Sequence, residues 1–276
     1  MYKTLLVPVD GRGKSTRSLE LACRIAGTFD SHLVGLFIRP SGYIPSAARA
    51  EGAEKLLQEL QQKVAEQAAQ EAKARFDSVV KPAALQRAEW RTGPGPRTEE
   101  VALHARYADL VIINQTEPDS PDATHFADAV LLAAGRPVLL VPYTGKIRPV
   151  GQNVLVCWNA SREASRAVTD ALPLLKRAAT VTVLSVDGRA SPEGHGESPG
   201  SDIALYLARH GVNTVSAQTA SASVDIGNLI LSRAADLGAD LIVMGAYGHS
   251  RVREIVMGGA TRTVLQSMTV PVLMSH

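Results

Sequence analysis

LLVPVDG (Leu5–Gly11) and VLVCWNA (Val154–Ala160) are two versions of one element, an apolar run closed by Asp10 in the first and Asn159 in the second. Neither run alternates between apolar and polar residues. Short, unbroken Val/Leu/Ile runs suit strands buried on both faces, as in a parallel sheet. The same pattern recurs at Leu33–Ile38, Leu110–Ile113, Val138–Val141, Val181–Val186, Leu241–Met244 and Val270–Met274. Weaker strands are expected at Leu85–Arg91 and Val212–Gln218. Between them, Ser18–Phe29, Ala164–Lys176 and Asn228–Leu237 carry helical apolar spacing. Strand and helix in alternation predict a doubly wound α/β fold.

The pairing extends past the first element. ADLVIIN (Ala108–Asn114) matches ADLIVMG (Ala239–Gly245), and RPVLLVP (Arg136–Pro142) matches VPVLMSH (Val270–His276), at offsets of 149, 131 and 134 residues. The order is kept while the spacing changes, so the chain holds one unit twice. From Asp10 to Ala108 is 98 residues, against 80 from Asn159 to Ala239, so the first half carries 18 more. These fall in Ala48–Asp77, which reads as one long helix. Ala53, Leu57, Leu60, Val64 and Ala68 form its apolar stripe, and Glu51–Lys55 and Glu59–Lys63 are favourable pairs four residues apart. The stripe is expected to pack on the sheet rather than on a partner helix. Thr144–Gly151 is the expected linker.

Composition narrows the function. The 276 residues are 45% hydrophobic and 20% charged, ordinary for a globular protein. With 29 basic and 27 acidic residues the net charge is +2, which supplies no general electrostatic reason to expect nucleic acid or a membrane surface as partner. Cys23 and Cys157 make no disulfide scaffold, and no Cys/His cluster has zinc-ligand spacing. No apolar run approaches the roughly 18 residues of a membrane helix. The start of the chain turns polar too early for a signal peptide, so a cytoplasmic protein is expected.

The strongest local pattern is Gly245-Ala-Tyr-Gly248-His-Ser-Arg, followed by Gly258-Gly259-Ala260-Thr261. It begins where a strand ends, and a helix is expected after Gly259. Glycines there let the backbone approach a ligand, and free N–H groups at a helix start favour an anion. Ligands in open α/β sheets sit beyond the carboxyl ends of the strands, where strand order reverses. The plain alternative is that the glycines only make tight turns.

With VPVDG near the start, GAYGHSRVRE, GGATRTVL and the closing VPVLM, nearly the whole sequence resembles the universal stress protein family in its tandem form. The resemblance implies two flavodoxin-like domains, at 1–144 and 152–276, each a five-stranded parallel sheet of order 3-2-1-4-5 with helices on both faces. It also implies pairing of the domains through their last strands about a pseudo-twofold axis, and a homodimer of such chains. ATP-binding members carry G-x2-G-x9-G-[ST]. Gly245, Gly248 and Gly258 match in spacing, whereas Gly259 stands where Ser or Thr is expected and Asn159 where aspartate is usual. Carried over, the base of an adenine nucleotide would lie near Cys157, Asn159, Val186 and Met244. Ribose and phosphates would lie against Gly245, Gly248, Gly258, Gly259, Ala260 and Thr261, with Ser250 and Arg251 as nearby polar groups. The first half has lost the pattern: Asn114-Gln-Thr-Glu117-Pro follows its fourth strand, and Thr124-His125 takes the place of Gly258-Gly259. That half is expected to be a structural or regulatory copy.

Pro8-Val-Asp-Gly-Arg-Gly13-Lys14-Ser15 follows a strand and looks like a P-loop, but Pro8 replaces its first glycine. The bland reading is a loop whose lysine and serine face solvent. His249 reads as an exposed turn residue. No general base with a matched second group is visible, so the expected output is conformational or through partners, with no catalytic residue and no metal ligand assigned. Two other classes stay open: an enzyme (a slow ATPase, or a divergent P-loop NTPase around Lys14) and a nucleotide-free interaction module.

Overall fold

A computed structural model describes residues 1–11, 13–40, 54–117, 126–145, 149–186, 199–219, 225–248 and 259–276. The first half runs β1 (Thr4–Pro8), α1 (Thr16–Phe29), β2 (His32–Ile38), α2 (Glu54–Val80), β3 (Ala88–Gly93), α3 (Arg97–Ala105), β4 (Leu110–Asn114), α4 (Phe126–Ala133) and β5 (Val138–Val141). The second runs β6 (Asn153–Trp158), α5 (Arg162–Leu175), β7 (Thr180–Val186), α6 (Pro199–Arg209), β8 (Thr214–Thr219), α7 (Ile226–Asp236), β9 (Leu241–Gly245), α8 (Gly259–Ser267) and β10 (Val272–Ser275). The two weak strands sit about where the sequence places them, each a few residues later. Most of the expected linker is described; residues 146–148 lie outside.

All the strands join one sheet of order β3-β2-β1-β4-β5-β10-β9-β6-β7-β8. Each half is parallel within itself and has the order 3-2-1-4-5. The halves meet where β5 and β10 pair antiparallel, with Leu139 opposite Leu273. Both residues are fully buried, so the expected pairing through the last strands is a continuous hydrophobic seam. One layer of core packs α1, α2, α5 and α6 on one face of the sheet, and a second packs α3, α4, α7 and α8 on the other. Because the seam is antiparallel, the carboxyl ends of the two strand sets emerge at opposite ends of the sheet.

The long helix departs from expectation. In α2 only Ala72, Phe76 and Val80 are buried, while Leu56, Leu60 and Val64 are 61%, 50% and 66% exposed. Its 27 residues span about 40 Å at 1.5 Å per residue. The strands beneath it, five to seven residues long, reach only about 17–23 Å. Its last turns pack on the sheet through Phe76, whose ring lies 5.2 Å from that of Trp90 in β3. Gly35 of β2 makes room for that ring, since a Cβ there would stand 2.4 Å from it. The first half of the helix therefore overhangs the carboxyl ends of β1 and β2. Ala53 and the Glu51–Lys55 pair lie partly or wholly outside the described residues.

Candidate functional site

In the second half, strand pleat decides what reaches the ligand position. Cys157 and Met244, each one residue before the end of β6 and β9, fall on the face covered by α7 and α8, and Met244 is buried there. Gly245 falls on the opposite face, against α5. A Cβ on it would stand 2.5 Å from the Ala164 backbone N and 2.7 Å from the Glu163 carbonyl carbon. Its missing side chain is what lets the start of α5 close on the sheet. Ser161 caps that helix, accepting from Ala164 N, while Asn159 Oδ1 accepts from Ser161 N.

Gly248 has a different neighbour. A Cβ there would lie 3.1 Å from Glu163 Oε2, so a carboxylate only 8% exposed stands beside the second glycine. Tyr247 between them is a non-glycine residue at φ +56°, a left-handed geometry that costs roughly 1–2 kcal/mol. Three contacts hold it: its N–H donates to Thr261 Oγ1 at 3.3 Å, its hydroxyl donates to Asp128 of α4 at 2.5 Å, and its ring meets His276 edge-on. The first of these ties the end of β9 to the first turn of α8, across the connection. Gly259 opens α8, and among the described residues the nearest neighbour of a Cβ placed on it would be Asp225 Oδ2, at 3.9 Å. Ala260 is half-buried beside buried Thr261. His249, Ser250, Arg251 and Gly258 lie outside the described residues, as does the side chain of Val186 at the end of β7.

The equivalent place in the first half, at the carboxyl ends of its strands, holds a cavity of about 770 Å³. Applying the offsets of 149 and 131 residues, Lys14 occupies the place of Glu163, Asn114 that of Gly245 and Glu117 that of Gly248. Lys14 Nζ pairs with Glu117 at 2.9 Å across the cavity wall. Asn114 ties α1 down by a bond from its amide to the Lys14 carbonyl and by accepting from Ser18 N. The P-loop-like stretch departs from its bland reading only at Ser15, which is buried and accepts from Asp10 N, whereas Lys14 is exposed. Val64, Ala68 and Glu71 of the overhanging helix form one side of the cavity. Sequence reading passed over this cavity. Its signal was the 18 extra residues together with a lysine where the other half has a glutamate.

The two halves touch near both sites. Gln115, just after β4 and 4% exposed, donates through Nε2 to the Leu265 and Gln266 carbonyls of α8 and accepts from Tyr143 N. Burial pushes both thiols up to about 12, Cys157 as well as Cys23, so neither is a thiolate nucleophile near neutrality. Burial, reinforced by Asp128, pushes the Tyr247 hydroxyl far above its usual range and keeps it a donor. Among the described residues no group of His, Cys, Asp and Glu is placed to hold a metal, and no helix is long and apolar enough to cross a membrane.

The chain is therefore a duplicated, doubly wound α/β protein with its candidate sites at the strand ends. The chain belongs to the universal stress protein family, whose model matches residues 1–142 and again 151–276. Among solved structures it is similar to a universal stress protein from Archaeoglobus fulgidus, 17% identical over 98% of this chain and 97% of that one, with TM-score 0.74. A functionally unknown protein from Pseudomonas aeruginosa matches over 99% of this chain and 92% of its own, at 18% identity and TM-score 0.56. Identities this low show the fold alone. A universal stress protein from Synechocystis is 50% identical over 38 residues, which span 14% of this chain and 13% of that relative.

Proposed function

We propose that this universal stress protein binds an adenine nucleotide in its C-terminal domain, residues 152–276, and acts through conformation or partners. The observation that carries the reading is the Tyr247 N–Thr261 Oγ1 bond, which ties the connection after β9 to the first turn of α8. The start of α8 at Gly259, where backbone N–H groups are free of helix partners, supports a phosphate there. The half-buried Cys157 and the polar Asn159 amide supply an apolar wall and a hydrogen-bonding group for a base. Glu163 and Asp225 stand near the phosphate position, so the nucleotide binds as its Mg²⁺ complex, in which the cation offsets like charge. The ligand is ATP in the first instance. Residues 1–144 form a domain without this glycine pattern. A homodimer of such chains in the cytoplasm completes the proposal.

One observation favours a second reading, a nucleotide-free interaction module: Gly245 already has a structural use, the seating of α5. Calorimetric titration with Mg·ATP separates the two. The wild type is expected to bind one ATP per chain, and the Gly248→Val, Gly258→Val double variant to lose binding while keeping its circular dichroism spectrum. Release of ADP over hours would add a slow ATPase. Absence of binding by the wild type would leave the interaction module.

A further inference from the structure

We propose that α2 is a dimer interface, on which a second copy of this chain packs antiparallel through Leu56, Leu60 and Val64. The inference rests on the homodimer proposed above and supplies its contact. Scattered exposed apolar residues need no explanation, but a contiguous row does. These three stand exposed on successive turns, and among the described residues no other element carries three exposed large apolar side chains. Phe76 is sixteen residues beyond Leu60, about 160° of helix rotation, so the row is turned away from the side that Phe76 seats on the sheet. The half-buried row Leu57, Gln61, Ala65 and Ala68 lies between the two.

Residues four apart form a ridge, and two such ridges interdigitate where helices cross at about −50°. Leu56 to Val64 spans about 12 Å, which suits a crossing rather than a long coiled coil. A twofold axis at Leu60 sets that residue on its own copy and Leu56 on Val64 of the partner subunit. Charge then complements itself. Glu59 and Lys63 share one flank of the ridge, and like flanks meet in an antiparallel pair, so Glu59 of each copy reaches Lys63 of the partner subunit. Glu54, Glu66 and Glu71 each accept from a glutamine four residues away, whereas Glu59 and Lys63 are exposed and unpaired among the described residues. A lipid surface is the poorer occupant, because Glu54–Glu71 holds those four glutamates, two lysines and no aromatic residue, the reverse of an interfacial helix. The counterpart helix in the second half, α6, has 11 residues and one exposed large apolar side chain, Leu205. Each chain therefore offers one such ridge, and the pair closes without growing into a filament.

The test is sedimentation equilibrium of the full chain across a range of concentrations. A monomer–dimer equilibrium in the micromolar range is expected, since two short crossed ridges bury less than a standard interface. Leu60→Glu, which sets two carboxylates on the axis, is expected to weaken it at least a hundredfold, with circular dichroism checking the fold at this half-exposed position. Should that variant fail to fold, charge reversal takes its place. Glu59→Lys and Lys63→Glu are each expected to weaken the dimer about tenfold, and the two together to restore it. A chain that stays monomeric at millimolar concentration overturns both this interface and the homodimer, and binding of that monomer to anionic vesicles would give the ridge to a lipid surface. A dimer that survives Leu60→Glu in folded protein, or that the double reversal fails to restore, overturns the interface alone. Leu60→Glu leaves Mg·ATP titration unchanged, so the nucleotide reading stands or falls separately.

Discussion

Asn114 and Gly245 hold the same station, at the end of the fourth strand of each half, and solve the same problem in opposite ways. The first half keeps a side chain there and uses its amide to tie down the start of α1. The second removes the side chain, so that α5 sits directly on the strand end. Lys14 and Glu163 then reverse the charge at the neighbouring station. The fold tolerates both solutions because the core beneath is made by buried aliphatic residues that neither choice disturbs. What differs is the side chains offered at the strand ends.

The largest effect should come from carrying one solution into the other half. Gly245→Asn drives a Cβ to 2.5 Å from backbone and should cost about 3 kcal/mol, because the contact is not with a flexible side-chain tip. Asn114→Gly loses two hydrogen bonds and should cost about 1–2 kcal/mol. Urea unfolding of both variants checks the asymmetry. Equal losses would mean that the two stations are interchangeable.

Next in size is the tie between halves. Tyr247→Phe removes the hydroxyl that donates to Asp128 and should cost about 1.5–2 kcal/mol, the range for a bond to a charged acceptor. The urea midpoint should fall with the slope unchanged, and a two-phase transition would show instead that this bond keeps the halves unfolding together.

A smaller, pH-dependent contrast lies at Asp170 of α5, where the first half has buried Leu21. Burial raises the Asp170 carboxyl above its ordinary range, although Ser275 and nearby arginines oppose the shift. The folded state thus holds this proton more tightly than the unfolded one. The contribution is fully present below the ordinary carboxylate pKa and is lost as pH rises through the raised one. Asp170→Asn should therefore compare more favourably with wild type at pH 7 than at pH 4, by urea unfolding at the two values. An identical difference at both would refute the assignment.

The smallest effect concerns the proposed phosphate position. Among the described residues a Cβ on Gly259 meets nothing closer than Asp225 Oδ2 at 3.9 Å, which leaves room for a serine there. Gly259→Ser should tighten ATP about threefold to tenfold if the hydroxyl donates to phosphate, worth about 0.5–1.5 kcal/mol. Should it turn to Asp225 instead, affinity would stay put while the first turn of α8 gained stability in a thermal melt.

The fold could be read from sequence because every strand but β3 and β8 is an apolar run and the repeat at Asp10 and Asn159 fixes the register of one half on the other. Strand ends drifted at β3 and β8, where polar residues such as Glu89 and Thr214 blur the pattern. The stripe on α2 misled for a physical reason: amphipathic spacing says that a face is apolar, not that the sheet is long enough to cover it. The cavity escaped because no single motif marks it. It needs the overhang of α2, the lysine at 14 and the arginines at 39 and 97 taken together, and those are neighbours only after folding. In the C-terminal site the spacing of the glycines was plain, but the structural use of Gly245 and the carboxylate beside Gly248 were not.

The seam between β5 and β10 has a genetic consequence. Two identical subunits meeting edge to edge about a twofold axis would present every substitution twice, once on each side. Here the strands that meet, Val138–Val141 and Val272–Ser275, are encoded separately. A change in one half is not mirrored in the other, while the shared edge keeps both in a single body. Such a chain can accumulate differences that a symmetric pair is barred from sampling. Its two sets of strand ends are then free to diverge one at a time.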